Sequence, residues 1–147
     1  MKTIDILKSI IGGLDGAKMH LFHSFICDKQ GFKKLAAKMR DEYDEEMADV
    51  ETMSHRILEL GGDLDIEIRK YPLYYNVEQM LREELKIQTK AVDEFIAMVN
   101  NAEDMDPVTL SILTEYIGNE EEHLYWLQRQ VKYIDTIGLK DYLCLQV

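Results

Sequence analysis

Proline is nearly missing from this 147-residue chain, which carries only Pro72 and Pro107. Long stretches therefore contain nothing that forces a helix to stop, because it is proline's missing N–H and its ring clash that break helix interiors. Cysteine is as scarce, with Cys27 and Cys144 alone, too few for the disulfide framework of a small secreted protein. Basic residues are outnumbered, 17 Lys and Arg against 28 Asp and Glu, for a formal charge of −11. That balance argues against nucleic acid as a partner, since phosphate binding needs clustered Lys and Arg. No apolar run approaches about 18 residues, so no membrane span is expected. Residues Met1 to Lys8 carry helical patterning rather than a charged-then-apolar leader. These absences predict a reduced, cytoplasmic protein. Its length suits a single domain over residues 1–147, large enough to bury about 70% of its unfolded surface without a staple.

What the chain does have is Leu, Met, Glu, Lys and Ala in long proline-free segments, the composition of helices. Four long helices are expected at about 3–30, 32–60, 76–101 and 106–135, with a short fifth near 138–145. Their punctuation has physical causes. Gly31 can end the first with a tight turn, and Gly61-Gly62 stops the second. Asn76 is a good N-cap with Gln79 three residues on. Asp106-Pro107 places a cap before proline at the first helical position. Between Gly62 and Tyr75 there is no helical period, and the segment is too long for a hairpin turn. It reads as an extended crossover. Two helical hairpins joined by one long crossover is the connectivity of ferritin-like four-helix bundles.

Helices in such bundles turn apolar residues inward at spacings of three and four. The second helix offers Met39, Tyr43, Glu46, Val50, Met53 and Ile57; the fourth offers Leu113, Ile117, Glu120, Leu124, Leu127, Val131 and Ile134. The third offers Val77, Leu81, Glu84, Gln88, Ala91 and Phe95, and the first Ile6, Ile10, Gly13, Ala17, His20 and Ser24. Each helix thus interrupts its apolar seam near mid-height. An unpaired buried carboxylate costs several kcal/mol or loses its charge, so converging carboxylates call for a cation. Glu120-x-x-His123 and Glu46-x-x-Asp49 sharpen the case, each placing two donors on one face. Di-iron carboxylate bundles use Glu-x-x-His pairs in this way, and carboxylate with imidazole suits iron, manganese or zinc.

Several segments together resemble the bacterioferritin family. They are Asp44-Glu45-Glu46-Met47 with Arg56-Ile57-Leu58-Glu59-Leu60-Gly61-Gly62, Val77-Glu78-Gln79-Met80-Leu81, Asn119 through Leu127, and Ile137 through Leu143. The resemblance implies a ferroxidase centre whose ligands transfer only in part. Glu46, Glu120 and His123 keep the family's residues. Gly13 stands where the family has its first-helix Glu, Asp49 where it has the second-helix His, and Gln88 where it has the bridging third-helix Glu. His20 replaces a Tyr beside the site and offers a spare nitrogen. The expected metal ligands are Glu46, Asp49, Glu120, His123 and His20. Losing both bridging-type Glu residues weakens any closely held pair of metals, and rapid ferrous oxidation needs that pair. Met47 falls where the family ligates haem b across a subunit two-fold.

The resemblance implies an iron-storing subunit of a hollow homo-oligomeric shell, with a small electron donor for release. The degenerate site adds the expectation of mixed assembly with an active partner subunit. Two other readings stand beside it. One is a repurposed metal-dependent oxidase or peroxide-consuming enzyme. The other is a structural subunit whose Glu46 and Glu120 are paired to side chains such as Lys18 or held neutral. His23 and His55 are expected on solvated or interface faces, and Cys27 as a small buried thiol on the first seam.

Overall fold

The computed structural model describes residues 1–147 and is all helical. Its elements are α1 (Thr3–Ile11), α2 (Leu14–Lys29), α3 (Lys33–Glu59), α4 (Val77–Asn100), α5 (Pro107–Ile137) and α6 (Leu139–Cys144). The caps form as their residues dictate. Asn76 accepts a hydrogen bond from the Gln79 N–H at 3.0 Å, and Asp106 accepts from the Thr109 N–H at 2.9 Å. Gly31, Gly61 and Gly138 take positive φ where α2, α3 and α5 end, backbone conformations that glycine reaches without strain.

One boundary departs from expectation. The first bundle helix is not continuous over 3–30 but breaks at Gly12-Gly13 into α1 and α2. Two adjacent glycines are the weakest point of a helix, and the crossover exploits it. The Arg69 N–H donates to the Gly12 carbonyl at 2.8 Å, and the Arg69 guanidinium donates to the Ser9 carbonyl at 2.9 Å. A Cβ at Gly12 would lie 2.8 Å from the Glu67 carbonyl, so only glycine lets the crossover backbone come this close.

The α2–α3 and α4–α5 hairpins face each other, and residues 62–75 join them in extended conformation. Apolar packing is split between two ends. One cluster is built on Cys27, Leu35, Met39, Met80, Leu81, Leu127 and Tyr142. The other is built on Ile6, Leu7, Ile10, Met53, Ile57, Phe95 and Leu113. The polar interruptions of the seams lie between them. No helix is long and apolar enough to cross a membrane.

The break generates a paired prediction. Gly12→Ala should destabilise the fold by about 1–3 kcal/mol, the usual cost of overpacking. Gly118→Ala, in the interior of α5 with open space around it, should stabilise by about 0.5–1 kcal/mol. Thermal melting of the two variants checks this, and equal shifts would refute the close approach at Gly12.

Candidate metal centre

Each of the four long helices delivers two polar side chains one turn apart to the same layer: His20 and His23 from α2, Glu42 and Glu46 from α3, Glu84 and Gln88 from α4, Glu120 and His123 from α5. Spacings of three and four place both members of each pair on one helical face. All are buried except Glu46, whose side chain keeps 17% exposure. Charges held in such a layer must be neutralised inside the protein.

The neutralisation runs as pairs. His20 Nδ1 meets Glu84 Oε1 at 2.6 Å, and His20 Nε2 lies 3.4 Å from Glu46 Oε1. Burial by itself would lower the His20 pKa, but the two carboxylates flanking its ring reverse that and raise it well above the usual value. Burial would likewise raise Glu84, yet the His20 imidazolium holds its carboxyl far below the normal range. His20 and Glu84 are thus a buried ion pair. His23 braces it: Nδ1 sits 3.5 Å from Glu84 Oε1, and Nε2 accepts the Tyr74 N–H at 3.0 Å. Across the layer, Glu42 Oε1 lies 3.2 Å from His123 Nδ1 and 3.1 Å from Lys38 Nζ. These contacts outweigh burial and lower the Glu42 pKa.

Glu120 is different, having no cation within salt-bridge distance. Burial first, and the Glu46 carboxylate second, push its pKa up to about 8, against an opposing hydrogen bond from Gln88. At neutral pH Glu120 is therefore mostly a neutral acid. The Gln88 Nε2 group donates to the Glu120 backbone carbonyl at 2.9 Å and to its Oε2 at 2.8 Å. A carbonyl can only accept, so the amide nitrogen must face α5.

The expected ligands are thus only partly gathered. His20, Glu46 and Glu120 line one cavity of about 70 Å³, together with Glu84, Gln88 and Tyr116. Gly13 and Gly16 form part of its wall, so the side chain missing at Gly13 helps to open it. His123 stacks on Trp126 and meets the His20 ring edge-on at 5.4 Å. Asp49 does not join them. It lines a separate cavity of about 120 Å³ with Glu115 and Tyr116. There burial, then Glu46, Glu45 and Glu115, raise its pKa to about 6. Lys18 pairs with Asp15 at 2.7 Å rather than with Glu46 or Glu120. Met47 lies on the outer surface, 37% exposed.

Three residues of the layer are only weakly marked in the sequence. His23 is fully buried, against the expected solvated or interface face, whereas His55 is exposed as expected. Its signal was the three-residue step from His20. On α3 a step of four from Met39 leads to Tyr43, whereas a step of three leads to Glu42, the residue that the fold buries. Glu84 was on the traced seam, but nothing in the sequence tied it to His20.

The His123 end of the layer carries the unpaired donors. Neither ring nitrogen of His123 makes an aligned hydrogen bond, although both are buried. Such orphaned buried groups demand an explanation, and a metal ion would supply one, with Glu120 one turn away and Glu46 across the layer. Two positions supply no carboxylate to the layer: Gly13 has no side chain, and Gln88 turns N–H groups toward Glu120. As they stand, no three His, Cys, Asp or Glu side chains converge as a ready-made metal site, so even one ion needs side chains to rotate.

Comparison with known proteins places this geometry in context. Residues 14–137 match the Ferritin family, described as a ferritin-like domain. The bacterial ferritin of Pseudomonas aeruginosa is 29% identical over 99% of this chain and 97% of its own. The bacterial ferritin of Neisseria meningitidis serogroup B is 25% identical over 95% of this chain and 93% of its own. The bacterioferritin of Mycobacterium avium is 29% identical over 88% and 82% respectively.

A carboxyl whose folded pKa is raised makes the native state bind more protons than the unfolded one. Stability is then lost as pH rises from the unfolded value toward the folded one. For Glu120 that window runs from 4.5 to about 8, and the raised pKa of His20 extends the loss above 6.5. Metal-free protein should therefore melt lower at about pH 8 than at about pH 5. Glu120→Gln should flatten this dependence and melt above the parent at the higher pH. Parallel melting profiles for parent and variant would show that Glu120 is not held neutral.

Proposed function

The chain belongs to the ferritin-like family, and on that premise we propose that it is an iron-handling subunit of a bacterioferritin-type shell. In this reading it assembles into a hollow cytoplasmic homo-oligomer that stores iron as mineral, and its buried centre takes one ion at a time. The observation that carries the proposal is the buried His123 imidazole, whose Nε2 has no partner and whose Nδ1 has only the 3.2 Å contact to Glu42, set with Glu120 and Glu46 in a layer between two apolar clusters. Iron is the cargo here. Glu46, Glu120 and His123 supply two carboxylates and a nitrogen, a donor set suited to iron and also to zinc. Glu120 starts protonated and gives up its proton as the cation arrives, which couples uptake to pH. The His20–Glu84 pair stays fixed beside the ion and excludes water from that side. With no bridging carboxylate, a second ion is not held close, and paired oxidation of ferrous iron is slow.

Met47 supports the haem part of the reading. Its thioether is exposed on the outer face of α3, available to a symmetry mate. A haem b shared between two Met47 residues would give the subunit an electron route for iron release, fed by a small electron donor. Mixed assembly with a subunit of full oxidising capacity fits the same division of labour. The acidic surface would draw ferrous ions toward the shell.

A second reading has its own support. Glu84, Glu42 and Glu120 each have internal partners, so the layer is almost satisfied without metal. Under that reading the chain is a structural subunit of the shell.

Elemental analysis of protein purified without chelators decides between them. The first reading expects about one metal atom per subunit, lost on His123→Ala; no metal in the parent favours the structural subunit. Restoring Gly13→Glu and Gln88→Glu together should raise the rate of aerobic ferrous oxidation well above that of the parent, read by absorbance of the ferric product. An unchanged rate would mean that bridging carboxylates are not what the centre lacks. A Soret band that disappears in Met47→Leu, with shell size unchanged by gel filtration, would place haem at Met47. A band that survives would place it elsewhere.

A further inference from the structure

Three sulfur atoms meet at the end of the bundle near α6. Cys27 Sγ on α2 lies 3.8 Å from Met39 Sδ on α3 and 3.7 Å from Met80 Sδ on α4. All three side chains are fully buried in the apolar cluster that Tyr142 closes. They come from three different helices and form no part of the carboxylate–imidazole layer. We propose that Cys27, Met39 and Met80 form a binding site for a soft monovalent cation, copper(I).

The chemistry selects that ion. Thiolate and thioether donors without oxygen or nitrogen favour copper(I) over hard or borderline divalent ions. Geometry agrees: with metal–sulfur bonds of about 2.3 Å, the Sγ–Sδ separations of 3.7–3.8 Å subtend close to a tetrahedral angle at the metal. Charge agrees as well. Binding breaks the Cys27 S–H bond, forms a sulfur–copper bond and releases one proton to solvent, with no change of oxidation state. The thiolate and copper(I) together are neutral, and a neutral unit is what an apolar core tolerates. Zinc in the same place would leave a net positive charge buried.

The metal-free thiol is quiescent, because burial first and the Glu84 carboxylate second push it up to about 12. The helix packed over this cluster is α6, six residues long and tied to α5 by the Tyr142 hydroxyl donating to Gln130 at 2.7 Å. Entry of the ion requires local opening of this short helix, and flexible thioethers adapt as the ion enters. The proposal is independent of the iron reading, since neither His123 nor Glu120 takes part.

The test uses the full-length assembled protein with Cys144→Ser, so that the exposed thiol cannot compete. Copper(I) is supplied anaerobically as its bicinchoninate complex. About one copper(I) per subunit should be withdrawn from the chelator, with X-ray absorption reporting sulfur neighbours only. Met39→Leu and Met80→Leu conserve volume, and each should weaken binding by about tenfold or more. Cys27→Ala should abolish it, with helicity by circular dichroism and shell size retained. Copper left with the chelator at equilibrium would overturn the proposal and reduce the three sulfurs to packing. So would uptake unchanged in Cys27→Ala, or nitrogen or oxygen neighbours in the absorption spectrum of the parent.

Discussion

The buried ion pair between His20 and Glu84 organises the rest of the molecule. Two charges removed from water cost several kcal/mol each unless they meet in good geometry. Here they meet at 2.6 Å in full burial. Their contact ties α2 to α4, one helix from each hairpin, so it can form only when the hairpins face each other in this register. His23 adds the crossover to the same network through the Tyr74 N–H. A polar layer of this kind stabilises less than hydrocarbon would, but it rejects alternative registers, in which the same charges would be stranded. That is the best-attested use of buried polar groups.

The crossover and the glycine break follow from the same constraint. Extended chain lying over a bundle must find partners for its backbone groups. The Arg69 N–H takes the Gly12 carbonyl, the Tyr71 N–H takes Asp15 at 2.6 Å, and the Tyr74 N–H takes His23. All three partners belong to the first bundle helix or its break. The glycines that weaken that helix are what let the crossover approach, and Gly13 also borders the cavity inside. The absent side chain at Gly12 thus serves the path of the backbone, and the one at Gly13 borders the layer beneath it.

Within the layer, the partition of charge is uneven. One half holds an imidazolium–carboxylate pair, and the other holds a neutral acid beside an imidazole whose Nε2 has no partner and whose Nδ1 has only Glu42 near it. The proposed cation belongs to the uneven half, where it would deprotonate Glu120 and meet the free nitrogen of His123. Asp49, one turn from Glu46, lines a different cavity with Glu115, although it still feels the charge of Glu46 more than that of Glu115. A residue spacing can therefore be right for ligation on paper while the side chain belongs to a different cavity.

The sequence alone determined the fold. Proline-free amphipathic stretches, the Asn76 and Asp106 caps and the terminating glycines are local signals, and local signals survive in one dimension. The place of the polar layer was legible too, because Glu46, Glu120, His20 and Gln88 interrupt seams whose period is local. Tertiary structure decided which of these groups meet. Glu84 and His20 are 64 residues apart and Glu42 and His123 are 81 apart in the chain, and only the packing of hairpin on hairpin brings each pair into contact. The same packing decided that Glu120 stays neutral, that Asp49 stands apart, and that three sulfurs from three helices touch. A side chain's facing residue and its charge state depend on distances across the bundle, and those are fixed by packing rather than by any spacing along the chain.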